Sequence, residues 1–131
     1  MSSPGLYMIL CSGEHEKIQM AAMAASVAAV SERPVEVFVS MNAVAVFRRD
    51  NDANRYDGGA FSDLMKSRKA PDALELFAQG KMLGDLKIYA CSMALDVAAI
   101  GMDDLVDDLF DGPSGLTKFL ADAESGQLVI F

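Results

Sequence analysis

Basic residues are scarce in this chain. Eleven Lys and Arg stand against 19 Asp and Glu, a formal net charge of −8. So acidic a chain gains no counterion-release affinity for nucleic acid or anionic lipid, and neither is expected as a partner. Long apolar runs are also missing. The longest, Met20 to Val30, is Ala-rich, contains Ser26 and is about half of a membrane span. It reads as a buried helix. Met1 to Gly5 is short and polar, and Leu6 to Cys11 is too short for the apolar core of a signal peptide. No export signal is therefore expected, and the expected location is the reducing cytoplasm. There are two cysteines and one histidine. That rules out a disulfide scaffold. With no CxxC pair, Cys11, Cys91 and His15 also fall short of a zinc ligand set. No metal or other cofactor is expected. Internal repeats, low-complexity tracts and linkers are absent as well, so residues 1–131 form one domain.

What is present alternates. Leu6 to Cys11 is a continuous apolar run stopped by Ser12-Gly13 and reads as a buried parallel strand. His15 to Val30 is helical, with Ser12 as the expected N-cap and Glu14 and Glu16 where the helix dipole favours acids. Pro34 ends that segment. Val35 to Ser40 is a β-branched strand. Met41 to Arg49 turns into a short helix, Asp50 to Gly59 is a loop, and Phe61 to Lys69 reads as a helical turn. Asp72 caps a helix that runs to Leu83 and stops at Gly84. Leu86 to Cys91 is a third strand and Ala94 to Ile100 a helix. The spacing of Leu105, Val106, Leu109 and Phe110 predicts a further helix over 103–110. Asp111 to Ser114 is a turn, Gly115 to Ala123 the last helix and Gln127 to Phe131 the last strand. Such alternation implies an α/β fold of the flavodoxin-like, doubly wound kind. It has a mostly parallel sheet of four to five strands with helices on both faces.

Ligands in such sheets bind beyond the carboxyl ends of the strands. In a 2-1-3 strand order, Leu6–Cys11 and Leu86–Cys91 would be neighbours, and both cysteines would end strands on that edge. Cys91 also precedes a helix, whose N-terminal partial charge favours a thiolate, the form that attacks sulfur donors or carries a persulfide. The alternative for each cysteine is plain burial at a strand end. Adjacent strands would put Cys11 within reach of Cys91, as a resolving thiol. His15, in the first helical turn after Cys11, is placed either to exchange a proton with a thiolate or simply to be solvated. The segment Cys11-Ser-Gly-Glu-His15 is a poor phosphate loop, with one Gly, no Lys and an acid. Ser12, Gly13, Ser92 and Met93 complete the candidate site as substrate-binding residues.

Two charge clusters stand out. Asp96, Asp103, Asp104, Asp107, Asp108 and Asp111 lie in one stretch without a basic residue, and their spacing is not that of a calcium loop. They read as a solvated helix face. Arg48, Arg49, Arg55, Lys66, Arg68 and Lys69 form the opposite cluster, and the two are expected to meet across a subunit interface.

The stretch Leu86-Lys-Ile-Tyr-Ala-Cys-Ser-Met-Ala-Leu-Asp96 resembles the DsrE/DsrF-like family of small sulfur-trafficking proteins. So do Ile100-Gly101, Phe119-Leu-Ala-Asp-Ala123 before the last strand, and Ser12-Gly13 followed by Glu16-Lys17. The resemblance implies a flavodoxin-like fold and homo-oligomers, trimers or hexamers. It also implies sulfur donor and acceptor proteins as partners, and a persulfide-accepting cysteine that maps onto Cys91. On this reading the chain is a sulfur carrier or a cysteine-dependent sulfurtransferase. The alternatives are a non-catalytic module binding a small anion or nucleotide on the same edge, and an oligomer subunit with inert cysteines.

Overall fold

The computed structural model describes residues 4–51 and 55–131; positions 52–54 of the expected 50–59 loop lie outside them. The elements in chain order are β1 (Leu6–Leu10), α1 (His15–Val30), β2 (Val35–Val39), α2 (Ala43–Val46), α3 (Ala60–Ser67) and α4 (Ala73–Leu83). They continue with β3 (Leu86–Cys91), α5 (Ser92–Ala98), β4 (Gly112–Ser114), α6 (Leu116–Ala123) and β5 (Gln127–Ile130). The sheet is parallel at every pairing, and its order is β4-β3-β2-β1-β5. The fold is thus the expected flavodoxin-like α/β arrangement, with helices on both sides.

The strand order corrects one expectation. The chain steps outward from β1 through β2 and β3 to β4, then returns to place β5 on the other side of β1. β2 therefore separates β1 from β3, and the two cysteine-ending strands are not neighbours. Hydrophobic pattern cannot settle such an order, because β1, β2 and β3 are all apolar enough to be interior strands.

Strand alternation sorts the residues onto two faces. Leu6, Met8 and Leu10, Val35, Val37 and Val39, and Leu86, Ile88 and Ala90 are all buried and face α1 and α4. Small residues let these layers close. α1 contributes Ala21, Ala22, Ala25, Ala28 and Ala29 to the core. A Cβ on Gly84 would stand 2.3 Å from the Ala29 carbonyl oxygen, so glycine is what lets the end of α4 reach α1. Asp72 caps α4 by accepting from the Glu75 amide at 3.3 Å, as its type and position predict. The opposite face carries Tyr7, Phe38 and Tyr89 and is covered in part by α6. Phe119 of α6 lies 5.2 Å from the Phe38 ring and 6.0 Å from Tyr7 between centroids.

Residues 103–110 do not form the expected α-helix. A single 3-10 turn at Met102–Asp104 is followed by a bridge residue at Leu105 and a turn over 107–109. There Leu105 bridges to Arg48, and the Val106 amide donates to the Phe47 carbonyl. Leu105 and Leu109 are buried all the same, so the apolar spacing marked burial, not helix. The expected turn at 111–114 is instead the short strand β4, and Gly115 is the N-cap residue of the last helix. Asp111 extends the β3 pairing. Its amide donates to the Ile88 carbonyl at 2.7 Å, and its carboxylate accepts from the Ile88 amide at 2.8 Å and from Lys81 Nζ at 2.6 Å. The acidic and basic clusters meet within one chain, through Arg49 and Asp107 at 2.7 Å, so no second subunit is required to pair them. No helix among the described residues is long and apolar enough to cross a membrane.

Candidate functional site

The carboxyl edge of the sheet is assembled by register. Leu10, Val39 and Ala90 are aligned across β1, β2 and β3, and Cys91 is aligned with Ser114 of β4. One residue further along, Cys11, Ser40, Cys91 and Ser114 make a single row. Alternation turns the cysteines onto the same face as Tyr7 and Tyr89. The side of the sheet agrees with expectation; the separation does not. Two interstrand spacings put the cysteine Cα atoms about 9.6 Å apart, beyond the roughly 4.4–6.8 Å that a disulfide spans. Both thiols are free, Cys11 partly exposed and Cys91 buried.

Each cysteine has its own surroundings. Cys91 closes β3 and is the N-cap residue of α5 with extended backbone, φ −66° and ψ 118°. Next to it, the Ser92 hydroxyl donates to the Ser114 carbonyl at 3.3 Å, which ties the start of α5 to β4. Cys11 is bound to the end of β5: its amide and its thiol both donate to the Phe131 carbonyl, at 2.9 and 3.3 Å.

A cleft of about 370 Å³ opens beside the start of α5, lined by Met41, Asn42, Met93, Ala94, Val97 and Ala98. Met93, placed in the site from sequence, is half exposed on its wall. Met41 and Asn42 were missed. They follow β2, which the 2-1-3 order sets apart from β3. The available signal was the small polar stop at Ser40, like those that follow the other two strands. Met41 has φ 50°, a left-handed conformation uncommon for a side chain of its size.

Ser12 and Gly13 belong to the Cys11 end of the row. Ser12 does not cap α1 in the expected way. Its hydroxyl accepts from the Glu14 amide at 3.1 Å, and Glu14 is the N-cap residue. Gly13 is buried against Asn42 and Asp57, where a Cβ would lie 2.7 Å from Asn42 Nδ2. Asn42 donates to the Asp57 carboxylate at 3.0 Å, and Asp57 pairs with the loop through its amide to Gly13 and its carbonyl to the His15 amide.

His15 is not brought to the cysteines. It is buried on the α1 side of the sheet, with Nδ1 bonded to the Ser62 hydroxyl at 2.5 Å and its ring stacked on Tyr56 at 4.2 Å. The Tyr56 hydroxyl in turn donates to Asp72 at 2.7 Å. Burial and, after it, the Lys66 charge hold the His15 pKa below its usual value. Burial and the bond to Asp72 push the Tyr56 phenol upward. This is a latch that fastens α3 and the start of α4 to α1. Among the described residues no group of acids, histidines and cysteines is arranged to hold a metal ion.

No protein-family model and no curated protein sequence matches the chain. Solved structures do. A protein of unknown function from Methanobacterium thermoautotrophicum, MTH1491, aligns with a TM-score of 0.63 at 17% identity, over 99% of this chain and 100% of its own. The ychN protein from E. coli aligns with a TM-score of 0.64 at 13% identity, over the whole of both chains. At these identities the likeness establishes the fold.

Proposed function

We propose that this chain is a sulfur carrier in which Cys91 holds a persulfide and passes its outer sulfur to an acceptor thiol. The observation that carries the reading is the place of Cys91. It ends β3 on the carboxyl edge of the sheet, occupies the N-cap position of α5, and is followed two residues later by Met93, which lines the Met41–Met93 cleft. The resemblance of the 86–96 stretch to the DsrE/DsrF-like family supports it.

The chemistry needs no cofactor and no oxidant. The Cys91 thiolate attacks the outer sulfur of a donor persulfide, R–S–SH. A new S–S bond forms to Cys91, the S–S bond of the donor breaks, and R–S⁻ leaves. Transfer to the acceptor repeats the exchange with Cys91 as the leaving thiolate. Cys11 stands too far off to resolve the persulfide as an intramolecular disulfide, so release belongs to the acceptor. An anion held at Ser12–Gly13 is the weaker reading, because Glu14 follows that loop directly and the Asp57 carboxylate lies against Gly13.

Transfer itself is the test. Protein loaded with inorganic polysulfide and freed of excess is mixed with a cysteine-containing acceptor peptide. The expected result is a persulfidated peptide and a Cys91 returned to the thiol. Loaded protein that keeps its sulfur, or the same transfer from Cys91→Ser, overturns the proposal.

A further inference from the structure

α1 is apolar on every side. Between Lys17 and Glu32 it carries no charged residue. A helix on the outside of a domain ordinarily turns a charged face to water, and one that is apolar all round is buried. One side of α1 packs on the sheet and another on α4, where Gly80 approaches Ser26. The third side is bare. Met20, Met23, Val27 and Val30 are 52, 44, 67 and 53% exposed, and their spacing of three and four residues sets them in one stripe about 15 Å long. Beside the stripe runs a groove of about 490 Å³, walled by Leu6, Met23, Ala24, Val27 and Ala28, with Arg33 at its end.

We propose that this stripe is a two-fold contact in which α1 packs antiparallel against α1 of a second copy. The charges at the two ends of the stripe select that occupant. Glu16 lies on the line of the stripe at its start and makes no ion pair among the described residues. Arg33 lies past its other end, held by the neutral oxygens of Pro4 and Gln127 at 3.1 and 3.2 Å. It too makes no ion pair among the described residues. Antiparallel pairing that sets Met20 against the partner's Val30, and Met23 against the partner's Val27, brings Glu16 to the partner's Arg33. Two-fold symmetry makes the same match a second time, so the surface is complementary to itself. A membrane is the poorer occupant, because the one basic residue at the end of the stripe, Arg33, is offset by Glu16 at the other and the chain carries a net charge of −8. The proposal is independent of the chemistry at Cys91.

Such a contact doubles whatever assembly forms elsewhere on the molecule. Sedimentation of the full chain should therefore give an even multiple of 14.0 kDa. Val27→Glu should halve that mass at micromolar concentration, with a circular dichroism spectrum unchanged because the residue is exposed. Glu16→Arg and Arg33→Glu should each weaken association, and the double variant should restore it. Mixing Met23→Cys with Val27→Cys protein should give a cross-linked heterodimer under mild oxidation, whereas Met20→Cys mixed with Val27→Cys should not. A monomer, an odd multiple, or a mass that Val27→Glu leaves unchanged overturns the proposal. So does a charge reversal that the double variant fails to rescue.

Discussion

Mild oxidation of this protein should not join Cys11 to Cys91. Their Cα atoms are separated by two interstrand spacings, about 9.6 Å, and a disulfide tolerates at most about 6.8 Å. Closing that gap requires a movement of roughly 3 Å on these same figures, and the row between them is filled by Ser40 of the central β2 segment. Ser40 is buried, and its amide donates to the Leu10 carbonyl at 2.8 Å. Pushing it aside breaks that bond, and a buried polar group left unpaired costs about 1–3 kcal/mol, before any loss from the neighbouring strands. The assay is non-reducing intact-mass spectrometry after diamide treatment of dilute protein. The expected product keeps both thiols, each open to alkylation after denaturation. The variant Ser40→Cys supplies the positive control, because its new thiol is one strand spacing from each native one and should form a disulfide under the same conditions. A wild-type monomer lighter by two hydrogens, with both thiols protected, would refute the strand-order argument.

Phe119→Ala should destabilise the fold by about 3–5 kcal/mol, the range for emptying a buried aromatic site. Phe119 is 2% exposed and fills the space between Phe38 and Tyr7; a chemical-denaturation loss below about 1 kcal/mol would contradict its placement. His15 should make stability depend on pH. Its folded pKa lies below the ordinary 6.5, so the unfolded chain binds more protons and stability falls as pH drops below about 6.5, levelling off below the folded pKa. His15→Gln should flatten that part of the thermal-melt profile; a wild-type profile that rises as the pH falls there would show the sign to be wrong. Gly84→Ala should lower the melting temperature, since its Cβ meets the Ala29 carbonyl at 2.3 Å; an unchanged melt would mean that the two helices can part there without cost.

Much of this fold is legible in the chain because its core segments obey a single local rule. The runs at 6–10, 35–39 and 86–91 are apolar, bounded by small polar residues, and too short to be helices. The caps at Asp72 and Gly84 carry their own chemistry. The misreadings arose where local pattern and tertiary demand diverge. Leu105 and Leu109 recur at helical spacing, but a bridge from Leu105 to Arg48 and a turn over 107–109 bury both without a helix. β4 is three residues long and contains Gly112 and Pro113, the composition of a turn. It is a strand because Asp111 supplies the hydrogen bonds that start its pairing with β3. Strand order is the largest gap. Nothing local to β1, β2 or β3 ranks them, so Met41 and Asn42 stayed hidden while Cys91 and Met93 were visible. His15 was legible as a residue of interest but not as a partner of Ser62, which lies 47 positions away.

The central claim rests on which thiol carries sulfur, and intact-mass spectrometry after brief exposure to inorganic polysulfide tests it most directly. Cys91 is the more buried of the two, so simple accessibility would favour Cys11. The account predicts that wild-type protein and Cys11→Ser both gain the mass of one or more sulfur atoms, reversible by a reducing agent, and that Cys91→Ser gains none. Sulfur retained by Cys91→Ser at the wild-type level would contradict it and move the chemistry to Cys11.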